Sequence, residues 1–148
     1  MTLKEKINKD LIESMKSGEK IRTETIRLLR AQILEFEKKG LNREMNQDDE
    51  LAILSNAVKK RKEAIELYEK SGRIDLSSKE NEELLIIQQY LPKQLSDSEI
   101  EVIISKILTE NNIAVQKDFG KAMGIALKEL KGKCDNGKIS AFIKTKLA

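Results

Sequence analysis

The residues best placed to do chemistry are lysines and glycines near the C-terminal end. From Lys117 to Ala148 there are eight lysines against three acids, Asp118, Glu129 and Asp135, a net +5 in 32 residues; the other 116 residues carry 20 basic and 22 acidic groups. On a helix turning about 100° per residue, Lys121, Lys128 and Lys131 all fall within about 40° of Lys117. Phe119, Met123, Ala126 and Leu130 fall between about 180° and 240°, on the opposite side. Gly120 and Gly124 lie beside or within the lysine stripe, and each helical glycine costs about 1 kcal/mol relative to alanine. Two readings compete. In one, the missing side chains admit a phosphodiester backbone that Lys117, Lys121, Lys128 and Lys131 neutralise, with Lys133 just beyond; such a contact is salt-sensitive and has little base specificity. In the other, the glycines admit a neighbouring helix and the lysines are a solvated face.

Other charged groups read as structural. Lys59-Lys60-Arg61-Lys62 point in four directions on a helix and have Glu63, Glu66 and Glu69 within pairing distance, so the run is expected to be a solvated surface. Arg22, Arg27 and Arg30 are expected to pair with Glu19, Glu24 or Glu35. Asp48-Asp49-Glu50 diverge on one helical turn and suit the positive end of a helix better than a metal. Cys134, between Lys133 and Asp135 near a helix start, is expected to have a lowered pKa, but no base accompanies it. The chain has no histidine, which removes Ser-His-Asp and Cys-His catalysis and His-ligated zinc. No phosphate-cradling or dinucleotide glycine motif is present. No catalytic residue, metal or cofactor is expected.

The elements that must carry these groups are helical. The 148 residues are 36% charged and only 3% aromatic, with a net charge of +3. A single cysteine excludes an internal disulfide and points to a reduced, cytoplasmic compartment. No apolar run approaches the ~20 residues needed to cross a bilayer, so no membrane role is expected. Thr2 and Glu5 form a capping-box pattern ahead of Leu3, Ile7, Leu11 and Met15, and Gly18 is the stop. A second helix carries Ile26, Leu29, Ile33 and Phe36 to Gly40. A third starts at the Asn46 cap and presents Leu51, Leu54, Val58, Ile65 and Tyr68. Ser77 and Glu80 form a capping-box pattern for a fourth, which Pro92 terminates. Ser96 and Glu99 cap a fifth bearing Ile100, Ile103, Ile104 and Ile107. A sixth runs from about Lys117 to Leu130, and a seventh carries Ile139, Phe142, Ile143 and Leu147 after the turn-prone Asp135-Asn136-Gly137. This predicts an all-α fold: a four-helix N-terminal bundle over 1–92 and a smaller three-helix bundle over 96–148, joined by a short proline-containing segment.

Two ordered stretches resemble the GatB/YqeY family. Arg61-Lys62-Glu63-Ala64-Ile65-Glu66-Leu67-Tyr68, Ser71-Gly72-Arg73-Ile74-Asp75-Leu76 and Tyr90-Leu91-Pro92-Lys93-Gln94-Leu95-Ser96 resemble its central pattern. Asp118-Phe119-Gly120-Lys121-Ala122-Met123-Gly124, followed by Lys131-Gly132-Lys133 and Asp135, resembles its C-terminal pattern. The order and spacing are those of stand-alone YqeY-like proteins. The resemblance implies a two-part helical fold whose second part is similar to the tail domain of GatB, a subunit of the glutamine-dependent amidotransferase that amidates mischarged tRNA. It implies a tRNA-binding accessory role without catalysis, with an amidotransferase or an aminoacyl-tRNA synthetase as protein partner. Two alternatives are a component with carbon–nitrogen ligase activity using glutamine as amide donor, and an adaptor docking through the N-terminal bundle. The chain departs from the family pattern at Leu127-Lys128, where members often have Met-Pro, and at Cys134 and Asn136, where they often have Ala and Gly. Asn136 is expected to take the left-handed geometry a glycine would supply.

Overall fold

A computed structural model describes residues 1–40 and 42–148. Among them are seven α-helices and no strand: α1 (Leu3–Ser17), α2 (Lys20–Lys38), α3 (Gln47–Lys70), α4 (Ile74–Gln88), α5 (Asp97–Glu110), α6 (Phe119–Glu129) and α7 (Asn136–Lys146). A 3-10 turn, Gln116–Asp118, leads into α6. The chain divides into two compact units, Met1–Leu91 and Pro92–Ala148. No helix among the described residues is long and apolar enough to cross a membrane.

The helix ends follow local chemistry. Thr2, Asn46 and Ser96 each accept the backbone N–H three residues on while the side chain at that position returns to the cap N–H, closing reciprocal capping boxes at the starts of α1, α3 and α5. Gly18 ends α1 at φ 73°, a conformation that costs glycine little. In the first unit the apolar stripes converge on Leu3 and Ile7 of α1, Ile26, Leu29 and Ile33 of α2, Leu54 and Ala57 of α3, and Ile87 of α4. Residues such as Ile7, Ile26 and Ile87 have no exposed surface, and each such burial stabilises by about 1.5–3 kcal/mol.

The fourth helix corrects the expected start. It opens at Ile74, so Ser77 lies inside its first turn, buried, with its Oγ donating to the Ile74 carbonyl rather than capping. The left-handed Gly72 turns the chain so abruptly that helical geometry resumes three residues before the Ser77–Glu80 pattern. Arg61 is a second correction: it does not share the solvated surface of Lys59, Lys60 and Lys62 but turns toward α4, where its Nε lies 3.5 Å from Glu83 and 3.9 Å from Glu80.

The second unit buries Ile100, Ile104, Ile107 and Leu108 of α5 against Ala122 and Ala126 of α6, Leu130, and Ile139 and Ile143 of α7. Asn136 does not adopt left-handed geometry. Asp135 occupies the extended N-cap position, which places Asn136 in the first turn of α7.

Candidate nucleic-acid interface

The short α6 is built for two different sides. Ala122 and Ala126 have no exposed surface and let α6 lie close to its neighbours, and Leu130 is 1% exposed at the helix end. Phe119 and Met123 are half-buried beside them. On the other side, Gly120, Lys121, Gly124 and Lys128 are exposed. Lys121 and Lys128 are seven residues apart, two turns or about 10 Å along one face. A Cβ built at Gly120 or at Gly124 would meet no atom within 4 Å. The glycines therefore do not admit a neighbouring helix; they leave open space on the lysine face.

The helix is shorter than its sequence pattern, which changes how the outer lysines are held. Lys117 sits on the 3-10 turn, not on α6, and Lys131 and Lys133 sit on the turn after Leu130. A single wheel therefore does not describe all four lysines of the stripe. Lys117 is positioned instead by its neighbour Gln116, whose backbone N–H donates to the Ala148 carbonyl at 3.2 Å and whose Nε2 donates to Leu147 and Lys144 carbonyls at 3.1 and 3.3 Å. Lys117, Lys131 and Lys133 are all exposed.

Folding also sorts the remaining charges. Lys138 of α7 donates to Asp97 of α5 at 2.9 Å, and the carboxylate holds its ammonium pKa above the usual value. Lys146 reaches Glu101 at 3.3 Å. Lys144 lies 5.6 Å from the centroid of the Phe119 ring, a cation–π distance. Lys117, Lys121, Lys128 and Lys133 form no ion pair among the described residues. The acids of α5 thus neutralise the α7 side of the unit and leave positive charge on the α6 side. No local sequence signal marks this, because Asp97 and Lys138 are 41 residues apart.

The other candidates resolve as structural groups. Arg22 pairs with Glu19 at 3.1 Å, while Arg27 contacts the Met15 sulfur and Arg30 donates to Asn8. Asp49 closes the α3 cap and accepts from Arg43, a hydrogen bond that lowers its carboxyl pKa. Glu50 accepts the Leu3 backbone N–H at 3.2 Å. The described residues contain no group of three carboxylate, Cys or His side chains arranged for a metal. Burial, reinforced by Asp135, pushes the Cys134 thiol pKa up, opposite to the expectation drawn from its place near a helix start. Desolvation outweighs the nearby Lys138.

The family model for Yqey-like proteins matches residues 4–147. The chain belongs to the Yqey-like family. A Schizosaccharomyces pombe protein described as uncharacterized is 35% identical over 91 residues, covering 62% of this chain and 73% of its own length. Proteins named "Altered inheritance of mitochondria protein 41, mitochondrial" are 31% identical in Lachancea thermotolerans and 30% identical in Vanderwaltozyma polyspora. Each of these two matches covers 106 residues, 70% of this chain, so the chain spans 57% of those relatives' length. The α6 ridge and the turn after it lie within the segment that defines family membership.

Proposed function

We propose that this Yqey-like protein is a non-catalytic accessory protein that binds tRNA and serves tRNA-dependent amidotransferase chemistry. In this reading residues 1–92 form a four-helix bundle, and residues 96–148 a three-helix, GatB-tail-like domain that contacts the sugar-phosphate surface. Lys117, Lys121, Lys128, Lys131 and Lys133 supply cations, and Gly120 and Gly124 allow close approach. A cytoplasmic location rests on the single cysteine; the mitochondrial proteins among the relatives make an organellar one the competing assignment.

One observation carries the reading: the open space at Gly120 and Gly124, on the same side of α6 as Lys121 and Lys128, which form no ion pair among the described residues. A solvated helix face gains nothing from two glycines, since alanine at either position would favour the helix. A ligand backbone at van der Waals distance does gain from them. Four phosphate contacts would make log affinity fall with log salt at a slope of about −3 to −4 on duplex-like RNA.

Gel shifts with bulk tRNA over a salt series test this directly. Lys121→Glu with Lys128→Glu should weaken binding by more than an order of magnitude and flatten the slope by about 2. Unchanged affinity in the double variant would remove the site, and no measurable binding by the wild-type protein would remove the function.

A further inference from the structure

The segment between the two units' helices has a hydrogen-bonded partner within the second unit. Leu95 donates its backbone N–H to the Lys133 carbonyl at 2.9 Å. Gln94 Nε2 donates to the Gly132 carbonyl at 2.8 Å and to the Pro92 carbonyl at 2.9 Å. Gln94 and Leu95 are therefore tied to Gly132 and Lys133, although about 40 residues separate them in the chain. Gly132 has φ 70°, the left-handed conformation that shapes this turn.

Two consequences follow for the surface. Lys93, which no charge pattern in the sequence groups with the α6 stripe, directly precedes Gln94 and stands two residues before Leu95, whose N–H is bonded to Lys133; Lys93 and Lys133 are both exposed. In addition, the Gly132 and Lys133 carbonyls, which would face an approaching anion as acceptors, are consumed by Gln94 and Leu95. Of the nearby carboxylates, Glu99, which feels the Lys93 charge, accepts from the Ser96 N–H at 3.2 Å, and Asp97 accepts from Lys138.

We propose that Lys93, next in the chain to the Gln94 bracket on the Gly132–Lys133 turn, is a further phosphate contact that carries a bound RNA backbone past the C-terminal end of α6. Gln94 is its positioning residue. This rests on the RNA-binding reading above and extends the contact surface to a part of the chain outside the helix that suggested it.

The full chain and bulk tRNA again serve as the assay, with Lys121→Glu/Lys128→Glu as the reference for the ridge. Lys93→Gln should weaken binding roughly fivefold at low salt and flatten the slope by about 0.9, the loss of one phosphate contact. Lys93→Arg should retain both affinity and slope. Gln94→Met should weaken binding in the wild-type background yet add nothing to Lys93→Gln, because it acts through that lysine. If the reference variant loses affinity while Lys93→Gln keeps wild-type affinity and slope, the Lys93 contact is wrong and the ridge stands. If neither variant changes affinity, both fall. An additive Gln94→Met loss would overturn its positioning role. Should Gln94→Met fail to fold, Lys93→Gln, a change on an exposed side chain, still decides the contact.

Discussion

Arg61 of α3 and Glu83 of α4 face each other in the first unit, Nε to Oε2 at 3.5 Å, with side chains only 12% and 11% exposed. The Arg61 Nε is buried without a hydrogen-bond partner. Glu83 is a buried carboxylate whose pKa is raised first by desolvation and then by the neighbouring Glu80, with Arg61 opposing both. The contact adds a charge pair to the apolar packing of α3 and α4, and removing one partner leaves the other without its counter-charge.

Removing one partner should therefore cost more than replacing the pair. Arg61→Ala leaves Glu83 buried and uncompensated, with an expected loss of about 2–3 kcal/mol in urea unfolding. Arg61→Met combined with Glu83→Leu should recover most of it. A single-variant loss below about 0.5 kcal/mol would show the pair to be solvated in solution.

The same carboxylate predicts a pH dependence of definite sign. A group whose folded pKa is raised binds more protons folded than unfolded, so its contribution is complete below the unfolded value, near 4.5, and declines as pH rises through the folded value. Glu83→Gln should flatten the stability profile on the alkaline side of that value relative to wild type. Parallel profiles for the two proteins would contradict the assigned shift.

Gly120→Ala and Gly124→Ala should separate stability from binding. Neither position has a positive φ or a neighbour within 4 Å, so each change should stabilise α6 by about 0.5–1 kcal/mol. Both should weaken tRNA binding, because the added methyl groups take up the space a closely approaching phosphate chain would occupy. A more stable protein with undiminished affinity would mean that close approach plays no part.

Lysines that folding has already paired should matter less than those it leaves alone. Lys138→Gln and Lys146→Gln remove cations that are held by Asp97 and Glu101 rather than turned to a phosphate. Each should change tRNA affinity less than Lys121→Gln or Lys128→Gln does in the same titration. Equal losses across all four would indicate attraction to net charge rather than to a surface.

Helix positions were legible where the signals were local. Thr2–Glu5 and Ser96–Glu99 announce starts because a cap needs only four consecutive residues, and the alignment of Ala126 and Leu130 opposite Lys121 and Lys128 follows from helical period alone. The Ser77–Glu80 pattern misled because capping chemistry is permissive: the same residues fit inside a first turn once Gly72 reverses the chain upstream. The wheel overreached at Lys117 and Lys131, where the backbone leaves α-helical geometry that composition does not signal.

By itself, then, the amino-acid order determined an all-helical chain, its principal caps, the basic bias after Lys117 and the family to which it belongs, since each depends on short-range spacing or on ordered motifs. Only the tertiary structure decided which charges stay available. Pairing of Lys138 with Asp97, burial of Arg61 against Glu83, the open space over Gly120 and Gly124, and the bonds from Gln94 and Leu95 to Gly132 and Lys133 all join residues distant in the chain or report what is missing around them. Coulomb energy and desolvation depend on separation in space, which the packing of one helix against another sets.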